Sequence, residues 1–237
     1  MEIGDVNALS CASLGGSDLV EQDRQEALHP GYAAFISALL DRRLKLGQTL
    51  RQDELCEIVG VSLSPMREAT TLLEADGLVS VRRRIGITIF YPDVQFVRET
   101  FQFRGLLERE GLRRFARNAP AGWVSRSRKA HADIIAFVTG VDDEKQYRQP
   151  VRALESEFHG AFIGAFDNSE VQSVYARLQR KMYLLRLLNP EAVNTASTVK
   201  AMGEHVAIID AIEARSPDAA ADALDRHLQG VLHRVLG

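Results

Sequence analysis

Residues 50–90, LRQDELCEIVGVSLSPMREATTLLEADGLVSVRRRIGITIF, decide the fold. Leu55, Ile58 and Val59 stand at helical spacing after the polar opening Gln52-Asp53-Glu54, and Gly60 supplies the permissive backbone that ends a helix. Val61 anchors a tight turn. Ser62 or Ser64 can cap a second helix, and Pro65 is tolerated in its first turn, where a missing N–H costs nothing. That helix is predicted from about Pro65 to Ala75, with Met66, Ala69, Leu72 and Leu73 as its buried stripe and Ser64, Arg67, Thr70 and Thr71 facing outward. After the helix-ending Asp76-Gly77, the β-branched runs Leu78–Val81 and Ile87–Tyr91 flank Arg82-Arg83-Arg84-Ile85-Gly86 and predict a hairpin with Gly86 at its tip. Two helices, a turn and an arginine-bearing hairpin in this order make a winged helix-turn-helix, and that points to double-stranded DNA.

Arg67 is the side chain expected to read a base, because a guanidinium fork can bond the O6 and N7 of guanine together. The residues expected on DNA are Arg51, Ser62, Ser64, Arg67, Thr70, Arg82, Arg83, Arg84 and Gly86. Three consecutive arginines also suit a solvated surface, and a helix-turn-helix pattern is common; their order and spacing together carry the reading. The block from about residue 30 to 92 resembles the DNA-binding domain of GntR-type transcription regulators. The matching residues are Gly47, Leu50, Gly60, Val61, Ser62, Pro65, Met66, Arg67, Glu68, Gly77, Leu78, Val79 and Gly86. Leu63 departs from it, since many relatives carry an Arg or another polar residue there, so one base or phosphate contact is expected to be missing or replaced by an apolar one.

At 237 residues, 46% hydrophobic and 26% charged, the chain has ordinary globular composition and room for two domains. Its apolar stretches fall far short of the roughly 20 residues that cross a bilayer, and its N-terminus is acidic where a signal peptide would be basic, so a cytoplasmic protein without a membrane partner is expected. Cys11 and Cys56 offer neither a disulfide framework nor a cysteine-based metal site. The net charge of −3 looks wrong for a DNA binder until it is divided by region. Glu2, Asp5, Asp18, Glu21, Asp23 and Glu26 face Arg24 alone in the first 29 residues, while the basic residues concentrate at Arg67 and the wing. The expected organisation is a flexible acidic arm at 1–28, a winged helix-turn-helix at 29–92 and a helical domain at 93–237 that binds effector and metal and dimerises.

Beyond Asp93 the periodicity is helical throughout. Val97, Phe101, Leu106-Leu107 and Phe115 mark a helix from Val94 to Arg117, and similar stripes follow in roughly 121–139, 143–166, 169–188, 196–214 and 217–236. A mainly α protein is predicted, its C-terminal part an all-α bundle. Within it Glu155 and His159 share one helix face, and His205 and His227 fall on two later helices that can close around the same point. Three imidazoles and a carboxylate suit a divalent transition metal; the same residues also suit core histidines hydrogen-bonded to neighbours.

Residues 94–237 are similar to the FCD domain of FadR-like regulators, through Arg104-x-x-Leu107-Glu108, Leu154-x-x-x-Phe158-His159, Asn168, Glu204-His205 and the final helix from Ala219 to His227-Leu228. The resemblance implies metal ligands at Glu155, His159, His205 and His227, with Glu155 standing where the family usually has Asp. His29, His131 and His233 match no ligand position and are expected as surface or packing residues. Arg104, Asn168 and Arg186 are the candidate effector-binding residues. Alternatives stay open for each: a salt bridge to Glu108 for Arg104, a turn or cap for Asn168, a solvated helix face for Arg186. The expected protein is a ligand-responsive repressor binding a palindromic operator as a homodimer, released by a small organic acid at a Zn, Ni or Mn site. A metal-dependent enzyme is the rival reading, against which stand the absence of a His-Glu-x-x-His pair and the otherwise unexplained winged helix.

Overall fold

A computed structural model describes residues 29–185, 187–189 and 194–237; the acidic arm with Cys11, and Arg186, lie outside the described residues. Among them are nine helices and three short strands. The first helix, α1 (Pro30–Leu40), was not legible as an element: His29 caps it by accepting from the Tyr32 N–H at 3.4 Å, and Pro30 opens it. β1 (Thr49–Leu50) follows, then α2 (Gln52–Val59), which ends on Gly60 at φ 76°. The next helix, α3 (Leu63–Ala75), begins two residues before the predicted start, with Ser62 as its N-cap residue. Gly77 at φ 70° turns the chain into β2 (Val79–Arg82), which is joined by a short turn to β3 (Gly86–Ile89).

The three strands form an antiparallel sheet in the order β1-β3-β2, with Thr49 opposite Thr88 and Val81 opposite Ile87. This sheet corrects the position of Gly86. It pairs with Arg82 rather than capping the hairpin, and a Cβ at its φ of 122° would meet the Leu50 carbonyl at 2.4 Å. Only glycine permits that close approach of β3 to β1. The wing tip is Arg83-Arg84-Ile85, with Arg84 at φ 70°.

Six further helices follow among the described residues: α4 (Val94–Arg117), α5 (Trp123–Thr139), α6 (Glu144–Gly164), α7 (Ser169–Leu185), α8 (Thr195–Glu213) and α9 (Pro217–Leu236). The mainly helical class, with a winged helix-turn-helix and an all-α C-terminal region, is what the sequence implied. No described helix is long and apolar enough to cross a membrane.

Two compact units divide the chain, cutting within α4 and α9. One holds the described residues up to Leu106 with Ser169–Asn194 and Leu228–Gly237. Its core packs Phe35, Leu39, Leu44, Leu55, Met66, Leu73, Leu78 and Ile89, and α7 contributes Leu184 to the same cluster. Burial of one such side chain stabilises by about 1.5–3 kcal/mol. Beside that core Arg180 of α7 pairs with Asp76 at 2.8 Å, and the Tyr32 hydroxyl donates to the same carboxylate at 2.9 Å.

The other unit comprises Leu107–Asn168 and Thr195–His227. Trp123 anchors it, edge-on to Phe115 at 4.7 Å and stacked with Phe158 at 5.9 Å. Gly111 brings α4 against the backbone of α6, since a Cβ there would stand 2.3 Å from the Phe162 carbonyl oxygen. That close approach sets Glu108, one turn earlier on α4, beside α6.

Candidate metal centre and DNA-reading surface

His159 of α6, His205 of α8 and His227 of α9 are buried in the second unit, and one ring nitrogen of each lies within 4.8 Å of the other two. The Nε2 atoms of His205 and His227 are 3.2 Å apart. Ligands on a tetrahedral zinc with Zn–N bonds of about 2.0–2.1 Å stand roughly 3.4 Å from one another, so this pair is already at bonding separation for one cation. His159 Nε2 is fully buried and has no hydrogen-bond partner, which leaves its lone pair for a cation.

The opposite edge of each ring explains why these nitrogens are available. His159 Nδ1 donates to Glu108 at 2.8 Å, and His227 Nδ1 donates to Glu204 at 2.9 Å. With the proton held on Nδ1, each neutral ring presents an Nε2 lone pair. His205 Nδ1 meets His131 Nε2 at 3.0 Å, and His131 Nδ1 meets the Ser127 carbonyl at 2.7 Å. A carbonyl only accepts, so His131 carries its proton on Nδ1 and accepts at Nε2; His205 therefore donates from Nδ1 and presents Nε2 like the others. Burial pushes the His131 imidazole below its ordinary range, more than the Ser127 carbonyl raises it, in keeping with a neutral ring. Three convergent lone pairs repel one another in the absence of a cation. The donor set fits a divalent transition metal.

Glu155 is half-buried on α6, one turn before His159, and its charge acts on His131. The convergent group among the described residues is the three histidines. Sequence spacing gives Glu108, Glu204 and His131 no place in this centre, although each holds one of the three rings. His131 sits in the apolar stripe Trp123, Ser127, His131, Ile134, Val138, and a histidine in such a stripe signals a buried, hydrogen-bonded ring. The long-range carboxylates had no comparable signal. Arg104, in the other unit, is buried with its guanidinium 5.8 Å from the Phe101 ring centre. Asn168 is exposed just before α7. His29 caps α1, and His233 is exposed on α9.

On the winged helix, Ser62, Leu63, Ser64 and Arg67 are exposed along the first turns of α3, and Arg82, Arg83, Arg84 and Ile85 are exposed on the wing. The Glu74 carboxylate accepts from the Val81 N–H at 2.7 Å and ties the wing to α3. Arg51 is exposed before α2, its backbone N–H bonded to Glu54 at 2.7 Å and its guanidinium near Asp53 and Glu54. Thr70 requires correction. It is 6% exposed, and its hydroxyl donates to the Met66 carbonyl at 2.7 Å and lies 3.4 Å from the Gln52 amide, so it belongs to the α2–α3 packing rather than to the outer face. The reason is angular: Thr70 follows Met66 by four residues and shares its buried face.

Comparison with known proteins adds two family matches. The model of the gntR family of bacterial regulatory proteins matches residues 32–89, and that of the FCD domain matches 99–230. The chain is 26% identical over 207 residues to the HTH-type transcriptional regulator BphR of Paraburkholderia xenovorans, covering 83% of this chain and 80% of that one. It is 27% identical over 199 residues to a protein of Paenarthrobacter nicotinovorans described as a probable D-xylose utilization operon transcriptional repressor, covering 84% of each. Among solved structures, McbR/YncC of E. coli superposes with a TM-score of 0.67 at 18% identity, over 92% of this chain and 99% of that one. A GntR regulator of Rhodococcus sp. RHA1 gives 0.67 at 20% identity, over 90% and 98%.

Proposed function

Since this chain belongs to the gntR family of bacterial regulatory proteins and carries an FCD domain, and so is a DNA-binding transcriptional regulator, we propose that it is a metal-dependent, acid-responsive repressor. It binds a palindromic operator as a homodimer and is released by a small organic acid captured at a Zn, Ni or Mn ion. The observation that carries this reading is the convergence of three buried Nε2 atoms, each ring held from behind by its own partner, in a chain that also presents an arginine-bearing recognition helix. The description of the Paenarthrobacter relative as a repressor supports the direction of control. Phe103 and Leu106, exposed one turn apart on α4, support an apolar contact between protomers.

In this reading His159, His205 and His227 hold the cation, with Glu155 as a fourth ligand one turn before His159. A divalent cation that takes more than four ligands would keep positions beyond these four residues open to a carboxylate. Arg104 pairs with the same anion, Asn168 and Arg186 are further candidates on the effector, and Glu108 and Glu204 fix the rings. An acid alters operator affinity only by binding one dimer arrangement better than another, and a difference of 1–3 kcal/mol gives about 5- to 150-fold. Metal analysis of the purified full chain, followed by acid titration of the operator complex before and after chelation, tests the reading. About one equivalent of metal per chain and an acid response lost on chelation are expected; an equal response in metal-free protein contradicts it. Arg104→Gln is expected to leave operator affinity within about twofold while abolishing the acid response, read in the same titration against a circular-dichroism check of folding.

On DNA, Arg67 reads a base, with Ser62, Ser64 and Leu63 beside it, while Arg51 and the wing arginines meet phosphate or the minor groove. Arg67→Ala is expected to cost about 1–3 kcal/mol of operator affinity and relax preference at one base pair of each half-site. Neutralising Arg82, Arg83 or Arg84 weakens all sequences alike and flattens the salt dependence. Anisotropy titrations over a salt series separate the two behaviours, and an unchanged slope for all three wing variants removes the wing from the DNA.

A further inference from the structure

We infer that His131 is a positioning residue of the metal centre: by accepting from His205 Nδ1 it fixes the tautomer and the tilt of the His205 ring, so that Nε2 faces the other two histidines. This rests on the metal-binding reading above, but concerns a residue outside the ligand set. His131 is fully buried on α5 and bridges His205 Nδ1 at 3.0 Å and the Ser127 carbonyl at 2.7 Å. Its own orientation is therefore set by the backbone of its helix, one turn earlier, and cannot relax independently of α5. The His205 ring is held on a second side by Phe158, stacked on it at 4.4 Å with an interplanar angle of 19°. Stacking fixes the plane of that ring, and the hydrogen bond from Nδ1 selects which edge points inward. Without it, the ring can flip or carry its proton on Nε2, and either change removes a donor from the centre.

The chemical type of this partner matters as well. His159 and His227 are backed by the carboxylates of Glu108 and Glu204. Glu108 is fully buried, Glu204 is half-buried and Glu155 joins the cation in the reading above, so a further carboxylate at the fully buried position of His131 would add an uncompensated negative charge. A neutral imidazole supplies the same acceptor geometry without it. The arrangement also distinguishes His131 from a packing residue, because a packing side chain of similar volume would serve equally well against Phe158, whose ring meets His131 edge-on at 4.9 Å.

The test compares the full-length protein with His131→Phe, which keeps the ring volume but has no acceptor, and His131→Gln, which restores one. Long-range 1H–15N spectra of the metal-free chains report the tautomer of His205, and competition against a chelating dye with Zn2+ as the probe reports affinity. We expect wild-type His205 to be protonated at Nδ1, His131→Phe to lose that state and bind Zn2+ about 10- to 100-fold more weakly, and His131→Gln to recover most of both. A wild-type His205 protonated at Nε2 overturns the inference, and that spectrum decides even if a variant fails to fold. Unchanged tautomer and affinity in folded His131→Phe overturn it too, as does absorption spectroscopy showing four imidazoles on the zinc. A wild-type chain that takes up no Zn2+ overturns the metal reading instead, while the tautomer in the metal-free protein still decides the role of His131.

Discussion

Replacing His205 by alanine is expected to remove bound metal from about one equivalent per chain to a trace and to erase the chelator sensitivity of thermal unfolding. His205 is fully buried and central to the cluster: its Nε2 is 3.2 Å from His227 and its Nδ1 is 3.0 Å from His131. Its removal takes away the central one of the four proposed ligands and strips His131 of its donor, so a polar cavity remains without its organising ring. Metal that saturates a site at a thousand times its dissociation constant stabilises the fold by about 4 kcal/mol, and the variant forgoes that contribution. His159→Ala should behave alike, with the Glu108 carboxylate left buried without its imidazole. Elemental analysis and melting curves with and without chelator check both. Stoichiometric metal in either variant would place the site elsewhere.

Arg180→Leu is expected to destabilise the unit containing the winged helix by about 3–5 kcal/mol, the usual consequence of removing one member of a buried ion pair. Arg180 and Asp76 are both less than a tenth exposed and 2.8 Å apart, and the loss of the guanidinium leaves the carboxylate with the Tyr32 hydroxyl as its described donor. Adding Asp76→Asn should return part of the loss, since it removes the stranded charge. Urea denaturation of the full chain measures both, and a loss below about 1 kcal/mol for the single variant would mean that the pair is not desolvated in solution. The ion pair and Leu184 tie α7 to the winged-helix core, although α7 lies far along the chain.

That tie shows where the sequence stops being legible. Local punctuation was readable: Gly60 ends α2, Gly77 turns the chain after α3, and the apolar stripes placed the six C-terminal helices within about three residues of their observed ends. The convergence of His159, His205 and His227 also followed from helical spacing together with a family resemblance. What failed depended on contacts between distant residues. Gly86 looked like a hairpin tip because β1, only two residues long, gave no signal of the strand that pairs with β3 and closes on that glycine. Thr70 looked outward because threonine is polar, yet it is buried and its hydroxyl is satisfied within α3. The carboxylate partners of His159 and His227 lie 51 and 23 residues away, and no local pattern announces them.

Coupling of the proposed metal-held acid sensor to the DNA-reading surface is tested most directly by titrating the metal-loaded full chain onto its operator, with and without a series of small organic acids, by fluorescence anisotropy. At least one acid is predicted to shift the isotherm to weaker binding by about 5- to 150-fold, and the operator must weaken binding of that acid by the same factor. An acid that binds stoichiometrically at the metal yet leaves the isotherm unmoved across the series would contradict the account.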